Sequence, residues 1–189
     1  NKYIEFRATP PMSTYLFALA VGQFEWVEGR TKDGVLIRVL TTPGKKGQAQ
    51  FALDEAIAAL EFYTWYYKRP FPLPKLDLLA IPDFGSGAME NWGLNTYRET
   101  ALLYDPKNSS EAAKKRVRTV IRHELAHQWH GDEVTMAWWD GLWLNEAFAS
   151  WMELVSSLTL SPELEPENEF MAESFLPALH ADALQNSHP

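Results

Sequence analysis

Extended apolar runs fill much of the first half of the chain. Runs rich in aromatic and branched residues predict extended structure at residues 3–9, 13–28, 35–42, 76–81 and 94–103. Asp33-Gly34 precedes the third run and predicts a hairpin turn there. The fourth run is almost continuously apolar, which is typical of a strand buried on both faces. The first half is therefore expected to supply the strands of the fold.

Helical periodicity interrupts these runs once and then governs the second half. Residues 48–68 predict a helix with an aromatic end, which is interpreted as packing against the sheet, with a binding patch as the alternative. Ser110 is placed to cap the next helix and Gly131 to end it. The helices of the second half are predicted at residues 111–130, 144–158 and 169–184. The core face of the 144–158 helix is expected from Phe148, Trp151, Met152 and Val155.

Composition narrows the classes of function. The 189 residues are 46% hydrophobic and 13% aromatic, which is enough for one packed domain and argues against disorder. The formal net charge of -8 argues against nucleic acid or an anionic membrane as the main partner. The absence of cysteine excludes disulfides and thiolate metal sites and leaves the redox compartment open. The apolar runs are too short to span a bilayer, and no targeting signal is visible.

A basic run lies in the 111–130 helix. It is interpreted as a solvated face, because no base-stacking aromatic pattern is interleaved with it. Its members are Lys114, Lys115, Arg116, Arg118 and Arg122.

The strongest chemical signal is the sequence His123-Glu124-Leu125-Ala126-His127. Two histidines four residues apart project from one face of a helix and can bind one metal ion. Glu124 lies beside that metal, where it can act as a general base on water. The alternative is a helix with two partly buried histidines that bind backbone carbonyls.

Glu146 supports the metal interpretation. It lies near the start of the 144–158 helix, and a short connection could fold that helix back so that its carboxylate becomes the third ligand. Two histidines and one glutamate leave the fourth tetrahedral position open, which is typical of catalytic zinc and not of structural zinc. A zinc hydrolase is therefore the favoured interpretation. The glycine-rich stretch at residues 82–93 lacks the lysine of a phosphate loop and carries one carboxylate, Glu90.

With these residues described, the sequence resembles the aminopeptidase N family of zinc aminopeptidases, also called gluzincins. The resemblance is carried by Gly87-Ala88-Met89-Glu90-Asn91 and by the histidine motif together with Glu146. It covers nearly the whole chain and is closest to endoplasmic reticulum and oxytocinase-like members. Further matching segments are Met12-Ser13-Thr14-Tyr15-Leu16, Leu76-Asp77-Leu78, Pro82-Asp83-Phe84, Tyr97-Arg98-Glu99, Val134-Thr135-Met136, Leu142-Trp143-Leu144-Asn145-Glu146 and Asn186-Ser187-His188-Pro189.

This resemblance implies a fold and a set of roles. The fold would be α+β, a single thermolysin-like catalytic domain over residues 1–189, with a small mixed sheet followed by the zinc-bearing helices. His123, His127 and Glu146 would hold one zinc ion, and Glu124 would deprotonate the attacking water. In the motif Gly87-Ala88-Met89-Glu90-Asn91, which would bind substrate, Glu90 would hold the free α-amine and the backbone near Gly87 and Ala88 would line the peptide path. Substrates would be peptides with a free N-terminus.

Departures from the family pattern qualify this expectation. By the resemblance, this sequence is expected to lack the family's N-terminal and C-terminal domains and a tyrosine beyond the third ligand that would stabilise the tetrahedral intermediate. Loss of one such donor costs about a hundred- to a thousand-fold in turnover, so the isolated chain is expected to be a monomer that binds zinc with weak or no peptidase activity. The alternative function is a non-catalytic, zinc-bound peptide-binding or scaffold domain. The parent protein would lie in the endoplasmic reticulum lumen or the cytoplasm.

Three residues near the site also depart from the family. His130, Asp132 and Glu133 stand where the family usually has Phe, Asn and Leu. One hypothesis is that they face surfaces left bare by the missing domains and keep an engineered domain soluble. A rival hypothesis is that His130, one turn beyond His127, reaches the metal.

Overall fold

A five-stranded mixed sheet and the helices that follow it form the fold. The computed structural model describes residues 3–183. The strands are β1 (Glu25–Arg30), β2 (Leu36–Thr41), β3 (Lys75–Ile81), β4 (Ala88–Met89) and β5 (Leu94–Arg98). The α-helices are α1 (Gln50–Tyr67), α2 (Glu99–Leu102), α3 (Glu111–Ala126), α4 (Leu142–Leu160), α5 (Pro166–Phe170) and α6 (Leu176–Ala181). The predicted order of a mixed sheet followed by helices is confirmed.

The sheet order, β1-β2-β3-β5-β4, combines both strand directions. β1 and β2 are antiparallel and are joined at the predicted hairpin, where Gly34 has φ 86°. β2 and β3 are parallel, as are β3 and β5, and α1 provides the crossover between β2 and β3. β4 pairs antiparallel with β5 at the edge of the sheet. The motif that begins at Gly87 therefore lies along an edge strand.

A buried tyrosine of α1 links helices α3 and α4. Tyr63 of α1 is 0% exposed, and its hydroxyl lies 2.8 Å from the carbonyl of Arg122, 3.2 Å from the carbonyl of Met152 and 3.0 Å from Oγ of Ser156. These partners belong to α3 and α4, so one phenol links three helices. Burial raises the pKa of Tyr63 far above its ordinary value, so the hydroxyl keeps its proton and remains a donor. The aromatic end of α1 is thus mainly a packing element at this position.

The basic run of α3 is not simply a solvated face. Arg122 is 1% exposed, and its guanidinium donates to Glu55, Ser157 and Ser161 at 3.1, 3.0 and 2.9 Å. Arg118 donates to the same Glu55 at 2.8 Å. The interpretation was wrong for these two residues, because α1 places an acid against them. Helical periodicity shows which residues share a face and does not show what packs on that face.

Two predicted extended segments form less strand than expected. Of residues 13–28, only the last four join β1, and Thr14–Leu16 forms a 3-10 helix. Residues 3–9 form no strand, and their large apolar side chains are exposed, with Tyr3 at 86%. Branched and aromatic residues favour a strand only where another strand pairs with them, and none does here. In the 94–103 run the strand stops at Arg98 and α2 follows.

The helix boundaries also differ from the prediction at two places. Ser110 caps α3 as expected, accepting from the backbone N–H of Ala113 at 3.1 Å. The helix ends at Ala126 and not at Gly131, because the next backbone N–H groups bond three residues back in turns, Gln128 to Leu125 at 3.2 Å and Trp129 to Ala126 at 3.1 Å. The predicted 169–184 helix begins earlier, at Pro166, and continues as a π-helical turn and α6; residue 184 lies outside the described residues.

The buried face of α4 is smaller and more polar than predicted. Met152 is buried, but Phe148 and Trp151 are 46% and 53% exposed, so their assignment to the core was wrong. The residues of α4 that are buried are Asn145, Ala149, Met152 and Ser156. Two small residues of this face, Ala149 and Ser156, allow α4 to lie close to α3. No helix in residues 3–183 is long and apolar enough to cross a membrane.

Candidate metal centre

Three predicted ligands meet where α3 and α4 come together. His123 lies in the last turn of α3, His127 just beyond it, and Glu146 at the start of the second turn of α4. The Nε2 atoms of the two histidines are 3.1 Å apart, and Oε2 of Glu146 lies 3.2 Å from the first and 3.5 Å from the second. His127 is 1% exposed, whereas the Glu146 side chain is 50% exposed. One side of this group therefore faces solvent.

The outer nitrogens of both rings have acceptors that determine their tautomer. Nδ1 of His127 lies 2.9 Å from the carbonyl of His130 and 2.9 Å from Oδ1 of Asn145. Nδ1 of His123 lies 3.2 Å from Oε2 of Glu153. Both Nδ1 atoms are therefore donors, and the Nε2 atom of each ring presents a lone pair when the ring is neutral.

When both rings are neutral, two lone pairs face each other at 3.1 Å and repel unless a proton or a metal cation lies between them. Glu146 adds a carboxylate oxygen to the same point. The residues present thus fit a zinc ion by the chemistry of their donors, two imidazoles and one carboxylate. Acceptors on the far side of each imidazole are the usual support for such ligands.

Protons compete with a metal for these atoms. Burial by itself lowers the pKa of His123, but the hydrogen bonds that His123 donates to Glu146 and Glu153 outweigh it and raise the pKa to about 10. Hydrogen bonds donated by His123 and, with a smaller effect, by His127 lower the pKa of Glu146. A metal must displace the proton from His123, so binding releases protons and weakens as the pH falls.

Glu124 points away from the bulk solvent and has a free oxygen. The residue is 6% exposed, and its Oε2 has no hydrogen-bond partner among residues 3–183. Burial, opposed by His123 and His127, raises the pKa of Glu124 to about 7. A buried, unpartnered carboxylate next to the metal ligands is available to a small polar molecule such as water.

Glu90 forms the other end of the site. It follows β4 directly, is 5% exposed, and its Oε1 accepts from Nδ2 of Asn145 at 3.2 Å. Ala88 and Met89 form β4, and Gly87 precedes it with its carbonyl bonded to the backbone N–H of Arg98 at 2.9 Å.

Asn91, the last residue of the motif that begins at Gly87, has structural partners. Its amide donates to the carbonyl of Leu16 at 3.3 Å and accepts from the hydroxyl of Thr96 at 2.8 Å. The structure therefore turns Asn91 toward the protein interior, while Gly87, Ala88, Met89 and Glu90 follow the sheet edge.

Asn145 is a site residue that the sequence reasoning missed. Its side chain joins the two halves of the site, accepting from His127 and donating to Glu90. Gly131 makes room for it, because a Cβ at Gly131 would collide with Oδ1 of Asn145, and the φ of 127° at Gly131 also favours glycine. The available signal was the position of Asn145 directly before Glu146.

Glu153 was missed as well. It lies seven residues after Glu146 on α4, two helical turns along the same face, and orients His123. That spacing was visible in the sequence, but whether Glu153 faces α3 depends on how the helices pack.

His130 and Glu133 take part in ordinary packing contacts. The His130 ring stacks on Phe148 at a centroid distance of 5.0 Å, and its carbonyl serves His127. The ring is absent from the metal-type groups among residues 3–183, so the structure does not bring it to the metal. Glu133 pairs with Arg69. Neither residue needs a solubilising role to explain it.

Asp132 contradicts the idea of a bare surface. It is 2% exposed, and neither carboxylate oxygen has a hydrogen-bond partner among residues 3–183. Burial raises the pKa of Asp132, the negative charges of Glu90 and Glu124 raise it further, and the pKa reaches about 9. Asp132 is thus a buried acid beside two others, which costs stability.

Replacing Asp132 with Asn is expected to raise the melting temperature of the metal-free protein at pH 8 by several degrees. In the folded protein the pKa of Asp132 is about 9, and in the unfolded chain it is about 4. The folded state therefore keeps its full stability below pH 4 and loses about 1.4 kcal/mol per pH unit as the pH rises from about 4 toward 9. The gain should therefore shrink at pH 5. Calorimetry or circular dichroism at both pH values, with a chelator present, measures it.

Asp140→Asn is the matched control, because Asp140 is exposed and the substitution is the same. It is expected to change the unfolding free energy by less than about 0.5 kcal/mol at either pH. A melting temperature for Asp132→Asn at or below that of the parent at pH 8 would contradict the burial argument.

Two imidazole nitrogens and a carboxylate, with a second carboxylate beside them, are the class of site found in metallopeptidases. Comparison with known proteins agrees. The model of the peptidase family M1 domain matches residues 51–189. The chain belongs to peptidase family M1, a family of metallopeptidases, and the family prediction is confirmed.

Named relatives share about half of their aligned residues with this chain. Aminopeptidase M1-A of Oryza sativa subsp. japonica is 52% identical over 100% of the chain and 21% of its own length. Endoplasmic reticulum aminopeptidase 1 of Mus musculus is 53% identical over 97% of the chain and 20% of its own length. Puromycin-sensitive aminopeptidase of Caenorhabditis elegans is 49% identical over 100% of the chain and 20% of its own length. The chain thus spans about a fifth of the length of these relatives. Their similar identities leave the subfamily as a prediction.

Proposed function

We propose that this chain carries the catalytic centre of a zinc-dependent aminopeptidase, which hydrolyses the N-terminal peptide bond of peptides. The observation that carries the proposal is the meeting of His123, His127 and Glu146 at one point, next to the unpartnered oxygen of Glu124. The names of the relatives support aminopeptidase action. We further propose that residues 1–189 form one thermolysin-like domain, supported by a mixed sheet followed by two site helices.

The three ligands divide the work of holding zinc. The two histidines offer neutral Nε2 atoms because Asn145, the carbonyl of His130 and Glu153 hold the protons on Nδ1. Glu146 adds one negative charge, which partly neutralises a divalent ion. When bound, zinc lowers the pKa of a water molecule and polarises the scissile carbonyl.

The other residues bind substrate and move protons. Glu124 takes a proton from the attacking water on its free Oε2 and gives it to the leaving amine. Glu90 binds the α-ammonium of the substrate and so sets the distance from the chain end to the cleaved bond. The buried position of Glu90 makes this ion pair stronger than one in open solvent.

The proposal is tested with Leu-Gly-Gly and its N-acetylated form, incubated with the zinc-loaded chain and followed by mass spectrometry over hours, since weak turnover is expected. Free leucine should be released only from the unblocked peptide. A chelator should stop the release, and added zinc should restore it. Equal cleavage of the acetylated peptide, or release that responds to neither chelator nor zinc, would contradict an aminopeptidase, and no release from any peptide would favour the non-catalytic peptide-binding alternative.

A further inference from the structure

Arg116 differs from the other basic residues of α3. Within residues 3–183 no hydrogen bond or ion pair engages its guanidinium, and its side chain is exposed. The other four lysines and arginines of the helix have partners. These are Lys114 over the ring of Phe51 at 5.4 Å, Lys115 with Glu169 at 3.0 Å, Arg118 with Glu55 at 2.8 Å and Arg122 with Glu55 at 3.1 Å.

The free guanidinium lies beside the start of the motif at the sheet edge. An ideal Cβ position on Gly87 is 3.6 Å from a terminal nitrogen of Arg116. Arg116 also precedes His123 by seven residues, so both lie on the same face of α3, about two turns or 10 Å apart. One helix face therefore carries a metal ligand at one end and an unpaired cation at the other.

The sheet edge gives a peptide a path between these points. In the described chain β4 pairs only with β5, so its other edge is open to an added strand. Glu90 lies at one end of β4 and Gly87 at the other. An extended peptide held at Glu90 by its amine and running along β4 would cover about 10 Å, or three residues, before it reached Gly87.

We propose that Arg116 forms an anion-binding subsite that takes a carboxylate three residues from the N-terminus of the substrate. The proposal rests on the proposed function, since Glu90 must hold the amine to define this distance. Glu90 and Arg116 then recognise opposite charges at the two ends of the same groove. The binding is a charge-assisted hydrogen bond from a planar guanidinium, which suits a carboxylate better than a neutral amide.

The carboxylate has two possible sources with the same chemistry. It is either the C-terminus of a tripeptide or the side chain of an acidic third residue in a longer peptide. Leu-Gly-Gly against its C-terminal amide tests the first source. The amidated pentapeptides Leu-Gly-Glu-Gly-Gly and Leu-Gly-Gln-Gly-Gly test the second.

The experiment is titration calorimetry of these peptides with the zinc-loaded chain and with Arg116→Gln, at low ionic strength and at a temperature where hydrolysis is slow. Arg116→Gln is expected to weaken binding of the tripeptide acid and the glutamate pentapeptide by about ten-fold each and to leave their neutral partners unchanged. Lys115→Gln, the loss of the adjacent cation, is the matched control and should change neither. If Arg116→Gln weakens the binding of only one of the two acidic peptides, that peptide identifies the source of the carboxylate.

Charge reversal separates recognition from a general effect on the fold. Arg116→Glu should bind the amidated pentapeptide Leu-Gly-Lys-Gly-Gly more tightly than the glutamate peptide, whereas the parent should prefer glutamate. Equal affinities of the parent, Arg116→Gln and Arg116→Glu for acidic and neutral peptides would overturn the subsite.

N-acetyl Leu-Gly-Gly distinguishes the two proposals. If acetylation abolishes binding while the Arg116 substitutions have no effect, the subsite fails and the proposed function stands. If acetylation has no effect, or if no peptide binds the parent, the proposed function fails and the subsite fails with it.

Discussion

Replacing Glu124 with Gln is expected to lower peptide turnover by about 10²- to 10⁴-fold, the usual contribution of a general base. Glutamine has nearly the same shape but cannot take the proton of water on Oε2, the atom that has no partner in the described chain. Zinc content should stay the same, because Glu124 is outside the group of ligands formed by His123, His127 and Glu146. Rates of leucine release and zinc per chain are the two measurements.

Stability distinguishes this loss from unfolding. Glu124 is 6% exposed and its pKa is raised to about 7, so a neutral glutamine should leave the melting temperature unchanged or higher. Glu133→Gln is the control, since it removes an acid that pairs with Arg69 away from the ligands. If Glu124→Gln left the biological function of the protein intact, the non-catalytic scaffold would be the better interpretation.

Replacing His127 with Ala is expected to weaken zinc binding by more than about a hundred-fold. Loss of a group that only orients a ligand typically costs about 10- to 100-fold, and loss of the ligand itself should cost more. His127 is also the most buried of the three ligands at 1% exposure. A side chain from the protein surface therefore cannot readily take its place as a ligand. Competition with a chromogenic chelator on the purified, folded chain measures the change.

His130→Ala is the matched control for this experiment. It removes a histidine only three residues away whose ring stacks on Phe148, and its backbone carbonyl still accepts from His127. Zinc affinity should change little. A loss comparable to that of His127→Ala would show that the ring of His130 is a ligand, and an unchanged affinity in His127→Ala would contradict the metal centre as described.

The metal-type group was accessible from sequence because its residues are local. His123 and His127 are four apart on one helix, and helix geometry alone puts them on one face. Glu146 needed one more assumption, a close return of the next helix, and α4 makes it. By contrast, Asn145 and Glu153 act by facing α3, and periodicity does not say which residues of α4 do so.

Burial was the least predictable property. Phe148 and Trp151 are typical core residues but remain exposed, whereas the charged Arg122 and Asp132 are buried. Apolar character favours burial only if another surface covers the side chain, and a charge is tolerated in the interior when it has a partner, as Arg122 has in Glu55. Asp132 has no such partner, and no local pattern could have indicated it.

The sequence by itself determined the family, the mixed order of strands and helices, and the residues of the metal-type group, because these depend on local spacing and residue chemistry. Only the tertiary structure decided which basic and acidic side chains are paired. It placed Glu55 against Arg122, put Asp132 beside Glu90, and left Arg116 free at Gly87. The reason is physical: the energy of a charge depends on its neighbours and its burial, and both are set by how distant segments pack.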